Sequence, residues 1–412
     1  MQLTIEKLIF GGQGLAKKDG KTYLVWNALP GETVRARIVN KARSVYEAIA
    51  EEILNPSLER VPAAETHYLS CGPWQTLAFE AENKWKQKIA SETYEKLGGL
   101  KIKAPPPIVF DAREYGYRNK MEYNFLSSPS GTSLAFFERN SNTKLLIDDC
   151  LLADEAIRQN TRKILDWLRK EGPHEHCLQN LVLRSDGAGG VIGGLFLSEA
   201  IGVKTHPPLD NSLVGFHIHA SGKLIHSAGE KSLTIHLSGA ALEFGLFSFF
   251  QINTPLFEKA LDDMRGHIDW SAKLVDFYSG VGAVGIGLGK NCKNLTMVES
   301  GKEAFAYAKK NSEQNSLKNC RVILSSAEKM TALIESDAII IFDPPRAGLD
   351  SKIIQKVLSA RPFRVLYLSC DIATHARDIK LLSSGYRLRD LKLYNFFPRT
   401  PHLESLAVLD RI

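Results

Sequence analysis

Asp276-Phe277-Tyr278-Ser279-Gly280-Val281-Gly282-Ala283-Val284-Gly285 is the stretch that decides the fold. Lys273-Leu274-Val275-Asp276-Phe277-Tyr278 reads as a strand, and the glycines fall at its carboxyl end, where a tight strand-to-helix turn lets a ligand approach the backbone. Gly280-Val281-Gly282-Ala283-Val284-Gly285 matches G-x-G-x-x-G, so a nicotinamide-dependent oxidoreductase is one reading. Two features favour S-adenosylmethionine instead. Asp276 ends the strand where methyltransferases often place an acid facing the methionine amine, and no hydride-transfer constellation accompanies the loop. The next strand, Leu295-Thr296-Met297-Val298, ends at Glu299, whose carboxylate can accept both ribose hydroxyls of a nucleoside; the plain alternative is a surface acid at a strand end. From Phe249 onward strands and helices alternate, the signature of a doubly wound, mostly parallel sheet.

Two more strand ends follow in chain order. Ile339-Ile340-Ile341-Phe342 delivers Asp343-Pro344-Pro345-Arg346, in which the prolines fix a rigid turn and hold the carboxylate at the sheet edge. Enzymes that methylate base amines usually carry an aromatic residue after such prolines; Arg346 stands there instead, which points away from an exocyclic amine. Tyr367-Leu368-Ser369-Cys370-Asp371 ends a further strand in a cysteine. Carbon methylation needs that residue type. C5 of a pyrimidine is a poor nucleophile until a thiolate adds to C6, and a general base must then remove the C5 proton so that the thiol can leave. A lone cysteine at a strand end is otherwise a structural thiol. Cytosine and uracil C5 share this logic, and the residues alone do not separate them.

The rest of the chain sets the bounds. At 412 residues, 44% hydrophobic and 24% charged, it is long enough for two or three cores. The N-terminus has no signal-peptide pattern and no stretch reaches the roughly 18 apolar residues of a membrane span, so a cytoplasmic location without membrane contact is expected. Six dispersed cysteines without a C-x-x-C pair argue against a disulfide framework or zinc ribbon. The net charge of +6 mildly favours a polyanionic partner, and nothing calls for an obligate protein partner. Alternation in Lys21-Thr22-Tyr23-Leu24-Val25 and in Glu32 to Val39, with turns at Asp19-Gly20 and Pro30-Gly31, predicts an OB-like β-barrel over 1–55. Lys17, Lys18, Lys21, Arg35, Arg37, Lys41 and Arg43 give it a basic surface, either an RNA-binding face or a solvated one. An α+β middle unit is expected over 56–245, with a helix from about Leu77 to Leu97 and another from Asp154 to Lys170. The nucleotide-binding unit takes 246–412.

The pattern Gly11-Gly12-Gln13-Gly14-Leu15-Ala16, Asp19-Gly20-Lys21 and Leu29-Pro30-Gly31-Glu32-Thr33-Val34 resembles the TRAM domain, an RNA-binding barrel of RNA-modifying enzymes. Phe249-Phe250-Gln251-Ile252-Asn253, Asp276 to Gly285, Asp343 to Leu349, Ser369-Cys370 with Thr374 and Arg377-Asp378, and Phe397-Pro398-Arg399-Thr400-Pro401-His402-Leu403-Glu404 resemble the RNA uracil-5-methyltransferase family. Tyr117-Arg118-Asn119-Lys120-Met121-Glu122 matches its middle-domain motif. The resemblance implies a Rossmann-like class I methyltransferase domain that takes its methyl group from S-adenosylmethionine. It implies cofactor contact by Gln251, Tyr278, Gly280, Gly282, Glu299 and Asp343, nucleophilic attack by Cys370 and proton abstraction by Glu404. Phe249, Arg118 and Arg346 would meet the base. His402 is the rival for the base on residue type alone. With a TRAM-like barrel present the expected substrate is 23S rRNA, with tRNA or a catalytically inactive RNA-binding homologue as the alternatives.

The chain departs from the family at several points. Many members bind a four-iron, four-sulfur cluster through cysteines after the barrel and one in the middle domain. Here Glu65 and Trp74 occupy two of those positions in Glu65-Thr66-His67-Tyr68-Leu69-Ser70-Cys71-Gly72-Pro73-Trp74-Gln75, leaving Cys71 and Cys150. Two thiolates do not satisfy a site needing about four, so no iron–sulfur cluster and no metal is expected, with the two cysteines as neighbouring thiols. Asp371 replaces the usual Asn after the nucleophile, and Asn395 an acid before the Phe-Pro pair.

Overall fold

The computed structural model describes every residue except Arg43, Pro129, Ser130 and Ile201, so the basic residue expected at Arg43 lies outside the described residues. The apolar runs at Lys273–Phe277, Ala338–Phe342 and Arg364–Ser369 are β-branched and aliphatic, suited to strands covered on both faces, and the latter two are almost wholly buried. They lie at the centre of an eight-stranded sheet. Its order is Cys320–Leu324, Asn294–Glu299, Lys273–Phe277, Ala338–Phe342, Arg364–Ser369, Glu404–Arg411, Tyr386–Tyr394, Ile108–Val109. The first five strands run parallel, whereas Glu404–Arg411 pairs antiparallel with both neighbours. The strand order reverses beside Lys273–Phe277. That is the switch point at which open α/β sheets bind ligands, outside the carboxyl ends of the strands.

Two apolar clusters cover the faces of this sheet. One gathers helix Thr254–Arg265, helix Ala283–Gly289 and the hairpin Ser232–Leu237/Ala240–Gly245; the other gathers helices Ser351–Ala360, Ile372–Leu382 and Phe79–Lys96. The hairpin is fixed by Asn311, which accepts from Glu243 N at 2.7 Å and donates to Glu243 O at 2.9 Å. Helix Phe79–Lys96, expected from about Leu77 to Leu97, buries Ile89, Ala90 and Tyr94 on the same layer as Ile372–Leu382. The 56–245 stretch thus supplies a helix, an edge strand and a hairpin to the C-terminal layers besides its own sheet.

That sheet has seven strands in the order Lys144–Ile147, Gly131–Phe137, Lys120–Ser128, Leu178–Ser185, Val191–Leu197, Leu213–Ala220, Lys223–Gly229. Helix Glu155–Lys170 packs on it through Ile157, Ile164, Leu165 and Leu168, and Asp154 caps its N-terminus by accepting from Ile157 N at 2.8 Å. The N-terminal strands Gln2–Thr4, Lys7–Leu8, Gly14–Lys18, Lys21–Trp26, Thr33–Ala42 and Val45–Asn55 form a six-stranded sheet around Leu3, Ile5, Ala16, Tyr23, Val25 and Val34. Two of its expected basic residues are neutralised locally: Arg35 pairs with Glu52 and Arg37 with Glu51, each at 2.5 Å. Lys21 and Lys41 instead flank the Tyr46 ring, 5.5 and 5.4 Å from its centroid.

Candidate active site

The glycine loop leaves Phe277 in a left-handed turn. Tyr278 has φ 62°, Gly280 φ 55° and Gly282 φ 89°, the last opening helix Ala283–Gly289. A non-glycine residue held at positive φ stores strain, and Tyr278 is fixed there with its hydroxyl donating to Glu328 at 3.3 Å. Gly285 admits no side chain: a Cβ would lie 2.7 Å from Met297 Sδ and 2.8 Å from Asp276 Oδ2. Asp276 is fully buried, accepts from Gly285 N at 2.8 Å, and its Oδ1 has no hydrogen-bond partner among the described residues. Burial pushes its carboxyl well above the usual range. Glu299 turns back onto the loop, accepting from Gly280 N at 2.8 Å and Gly301 N at 2.6 Å. Backbone open at Gly280, a carboxylate at the second strand end and an orphaned buried acid oxygen together suit a nucleoside bearing an amino-acid tail.

Gln251 and Asp343 meet at the mouth of this loop, Gln251 Nε2 donating to Asp343 Oδ2 at 3.4 Å. Burial pushes the Asp343 carboxyl up to about 7, and Gln251 offsets part of that. The Gln251 segment is held from the middle sheet: Asn119 Nδ2 donates to Gln251 O at 2.9 Å, and Asn119 N to Ile252 O at 3.3 Å. Phe249, on the same segment, is 65% exposed, with its carbonyl near Gly280. Its ring is free to meet a planar ligand.

The antiparallel strand brings the remaining chemistry together. Ser369 pairs with Ser405, so Cys370 at the end of one strand abuts Glu404 at the beginning of the next. Burial, then the Glu404 and Asp343 carboxyls, push the Cys370 thiol up to about 12, while Arg346 beside it pulls the other way. Glu404 is 1% exposed, neither carboxylate oxygen has a hydrogen-bond partner among the described residues, and burial raises its carboxyl well above the ordinary range. Cys370, Arg346 and His402 line one cleft, which Ile9, Phe10 and Gly11 of the turn between the N-terminal strands Lys7–Leu8 and Gly14–Lys18 also line. His402 is held below its usual range, by desolvation first and then by Arg346. Asp371 caps helix Ile372–Leu382, its Oδ1 accepting from Ala373 N at 3.0 Å and Thr374 N at 2.9 Å, a task Asn performs equally well.

The loop before Glu404 is braced by a buried polar network that reading the sequence missed. Lys86 donates to Glu82 at 2.8 Å and to Asn395 at 2.6 Å; Asn395 donates to Glu82 at 3.1 Å; Arg399 N donates to both Glu82 oxygens, at 3.1 and 3.0 Å. The only sequence signal was the i, i+4 pair Glu82/Lys86 on a helix whose exposed face also carries charges. Asn395 here serves as acceptor and donor at once, which a carboxylate cannot. Tyr117 OH donates to Pro398 O at 2.9 Å, and Arg118, placed near Cys71 and Cys150, borders the same loop through its field on His402. An iron–sulfur cluster, which the resemblance made the group to test here, does not fit the donors present. Cys71 and Cys150 are the two thiols there, Glu65 and His67 complete the group, and the Trp74 indole is buried and donates to Gly12 O at 2.9 Å.

A doubly wound sheet with a glycine loop at its switch point, and a thiol and a carboxyl on two neighbouring strands further along, is the architecture of a Rossmann-like methyltransferase. Residues 230–412 match the family model described as tRNA (Uracil-5-)-methyltransferase. Over its whole length the chain is 26% identical to an uncharacterised RNA methyltransferase of Halalkalibacterium halodurans, covering 100% of this chain and 96% of that one. A second from Gloeobacter violaceus is 28% identical, covering 99% and 95%. Among solved structures, the Pyrococcus abyssi tRNA (uracil-54, C5)-methyltransferase in complex with S-adenosyl-L-homocysteine superposes with a TM-score of 0.80 at 22% identity, over 99% of this chain and 100% of that one. The C-terminal part of the chain is thus similar to the uracil-5-methyltransferase family, and the whole chain to RNA methyltransferases. No helix among the described residues is long and apolar enough to cross a membrane.

Proposed function

We propose that the protein methylates C5 of a uridine in structured RNA, with Cys370 as nucleophile and Glu404 as the base. The observation that carries this reading is the Ser369–Ser405 register, which sets a thiol and an unpartnered buried carboxyl side by side above the glycine loop. When bound, S-adenosylmethionine supplies an electrophilic methyl group. Gln251, Tyr278, Gly280, Gly282, Glu299 and Asp343 are the residues that would hold it. The chain's own task is proton and electron traffic at the base. Arg346 beside Cys370 favours the thiolate, whose sulfur bonds to C6 and makes C5 nucleophilic. Once C5 is methylated, Glu404 as carboxylate takes the C5 proton; the C–H pair restores the C5–C6 double bond and the thiolate leaves. Phe249 and Arg118 would flank the flipped base, whose extrusion costs a few kcal/mol, offset by stacking and backbone contacts.

The expected substrate is 23S rRNA, read from the TRAM-like barrel. The family model's description favours tRNA as a second reading. Incubating the enzyme and labelled S-adenosylmethionine with each RNA, followed by nucleoside analysis, separates the two and distinguishes uracil from cytosine. Cys370→Ala should bind RNA and cofactor yet give no product. Glu404→Gln should accumulate methylated RNA bound to Cys370 as a complex that survives denaturation. Methylation by Cys370→Ala, or an adduct at Cys320, would sink the assignment.

A further inference from the structure

Away from the cleft, Glu65, His67, Cys71 and Cys150 converge so that one donor atom of each lies within 4.8 Å of all the others. Sequence reading paired the two cysteines but passed over His67. Glu65 Oε1 lies 3.3 Å from His67 Nε2, and Cys71 Sγ 3.6 Å from Glu65 Oε2. Zinc bonds of about 2.3 Å to sulfur and about 2.0 Å to nitrogen or oxygen require donor separations of roughly 3.3–3.8 Å around a tetrahedron. Both measured contacts are of that size, one to each oxygen of the Glu65 carboxylate, so either oxygen is within reach of a shared ion. A second observation is independent of spacing: His67 is 6% exposed, and its Nε2 has no hydrogen-bond partner among the described residues, the approach to Glu65 lacking hydrogen-bond geometry. A buried imidazole nitrogen that lies 3.3 Å from a carboxylate without a hydrogen bond is imperfectly satisfied, a cost that a metal bond would offset.

We propose that Glu65, His67, Cys71 and Cys150 bind a single structural zinc ion. The mixed set of two thiolates, one imidazole and one carboxylate suits tetrahedral zinc and lacks the sulfur an iron–sulfur cluster demands. With four protein ligands the site is closed, so its role is to hold chain, not to activate water. Gln75 Nε2 donates to Glu65 at 2.7 Å and Leu151 N at 2.6 Å, orienting the carboxylate from both sides. Three ligands come from the 65–71 loop and the fourth from the end of the middle sheet. The ion would staple the loop that reaches Gly12 O through Trp74 Nε1 at 2.9 Å and Arg399 O through Trp74 N at 3.0 Å. Two thiolates and a carboxylate around the dication leave one net negative charge, which Arg118 and Arg139 face.

The test uses full-length, tag-free protein dialysed into metal-free buffer. Elemental analysis should give about one zinc per chain. Replacing zinc with Co²⁺ should give intense tetrahedral d–d bands and a thiolate-to-cobalt charge-transfer band. Cys71→Ser and His67→Ala should weaken Zn²⁺ affinity by at least about tenfold. His176→Ala, in the exposed His176/Cys177/Glu199 group, should leave zinc content unchanged. Should the variants fail to fold, the Co²⁺ spectrum of the wild type decides alone. The proposal is overturned by wild-type protein without zinc or cobalt bands, by a Cys71–Cys150 disulfide in protein purified under reducing conditions, by stoichiometric iron with broad visible absorbance, or by zinc that tracks His176.

Discussion

At the scale of single residues, the site is built from groups whose charged forms the fold disfavours. Glu404 is buried without a partner, so the native state holds its proton more tightly than the unfolded chain does. Its contribution to stability is therefore fully present below about pH 4.5 and is lost as pH rises through the higher native value. Asp343, pushed up to about 7, acts in the same direction. Glu404→Gln should accordingly melt higher than wild type at pH 8, with the gap shrinking at pH 5. Calorimetry at both pH values checks this, and a gap that does not change with pH contradicts it. Lys86 presents the opposite case, a buried cation whose proton burial disfavours and Glu82 retains. Lys86→Ala leaves Glu82 and Asn395 short of a donor and should cost about 3 kcal/mol in urea denaturation.

At the scale of elements, the loops proposed to act in the site are held by segments distant in sequence. Asn119, at the entry of strand Lys120–Ser128, is 4% exposed and ties the Gln251 segment to the middle sheet. Asn119→Ala leaves the Gln251 carbonyl without that donor, a loss of about 1–2 kcal/mol. If Gln251 contacts the cofactor, the Kd for S-adenosylmethionine should rise about 5- to 30-fold by calorimetric titration. An unchanged Kd would remove Gln251 from the cofactor site. The Asp343–Leu349 loop is tied differently: Asp378 accepts from Leu349 N and from Tyr367 OH, each at 2.8 Å. Gly348 at φ 78° passes so close that a Cβ would lie 2.5 Å from Asp378 Oδ2. Helix Ile372–Leu382 therefore holds the Asp343–Leu349 loop through Asp378.

At the scale of the whole molecule, the N-terminal sheet forms a wall of the cleft as well as a surface beside it. Phe10 is 47% exposed, and with Ile9 and Gly11 it lines the same cleft as Cys370 and Arg346. Gly12 packs so tightly on Pro401 that a Cβ would approach to 2.5 Å, which locks the sheet to the loop before Glu404. An exposed aromatic ring in the same cleft as Cys370 is suited to stacking on a nucleobase, an interaction worth about 1–3 kcal/mol. Phe10→Ala should weaken RNA binding by about fivefold or more in filter-binding assays while leaving S-adenosylmethionine affinity unchanged. Equal loss of both would mean that the ring supports the fold instead.

The sequence by itself determined the doubly wound sheet and the loops at its strand ends, because buried parallel strands and glycine turns are written in local runs such as Ala338 to Phe342 and Gly280 to Gly285. It also located Cys370 and Asp343 at strand ends, since each follows its strand directly. Only the tertiary structure decided that Glu404 abuts Cys370, because that pairing depends on the antiparallel direction of a strand 34 residues further on, which no local pattern encodes. The same holds for the Glu82–Lys86–Asn395–Arg399 network and for His67 joining Glu65, Cys71 and Cys150, whose neighbourhood the resemblance had implied. Buried polar groups are placed by long-range chain crossings, and in sequence they look like the charged residues of any solvated surface.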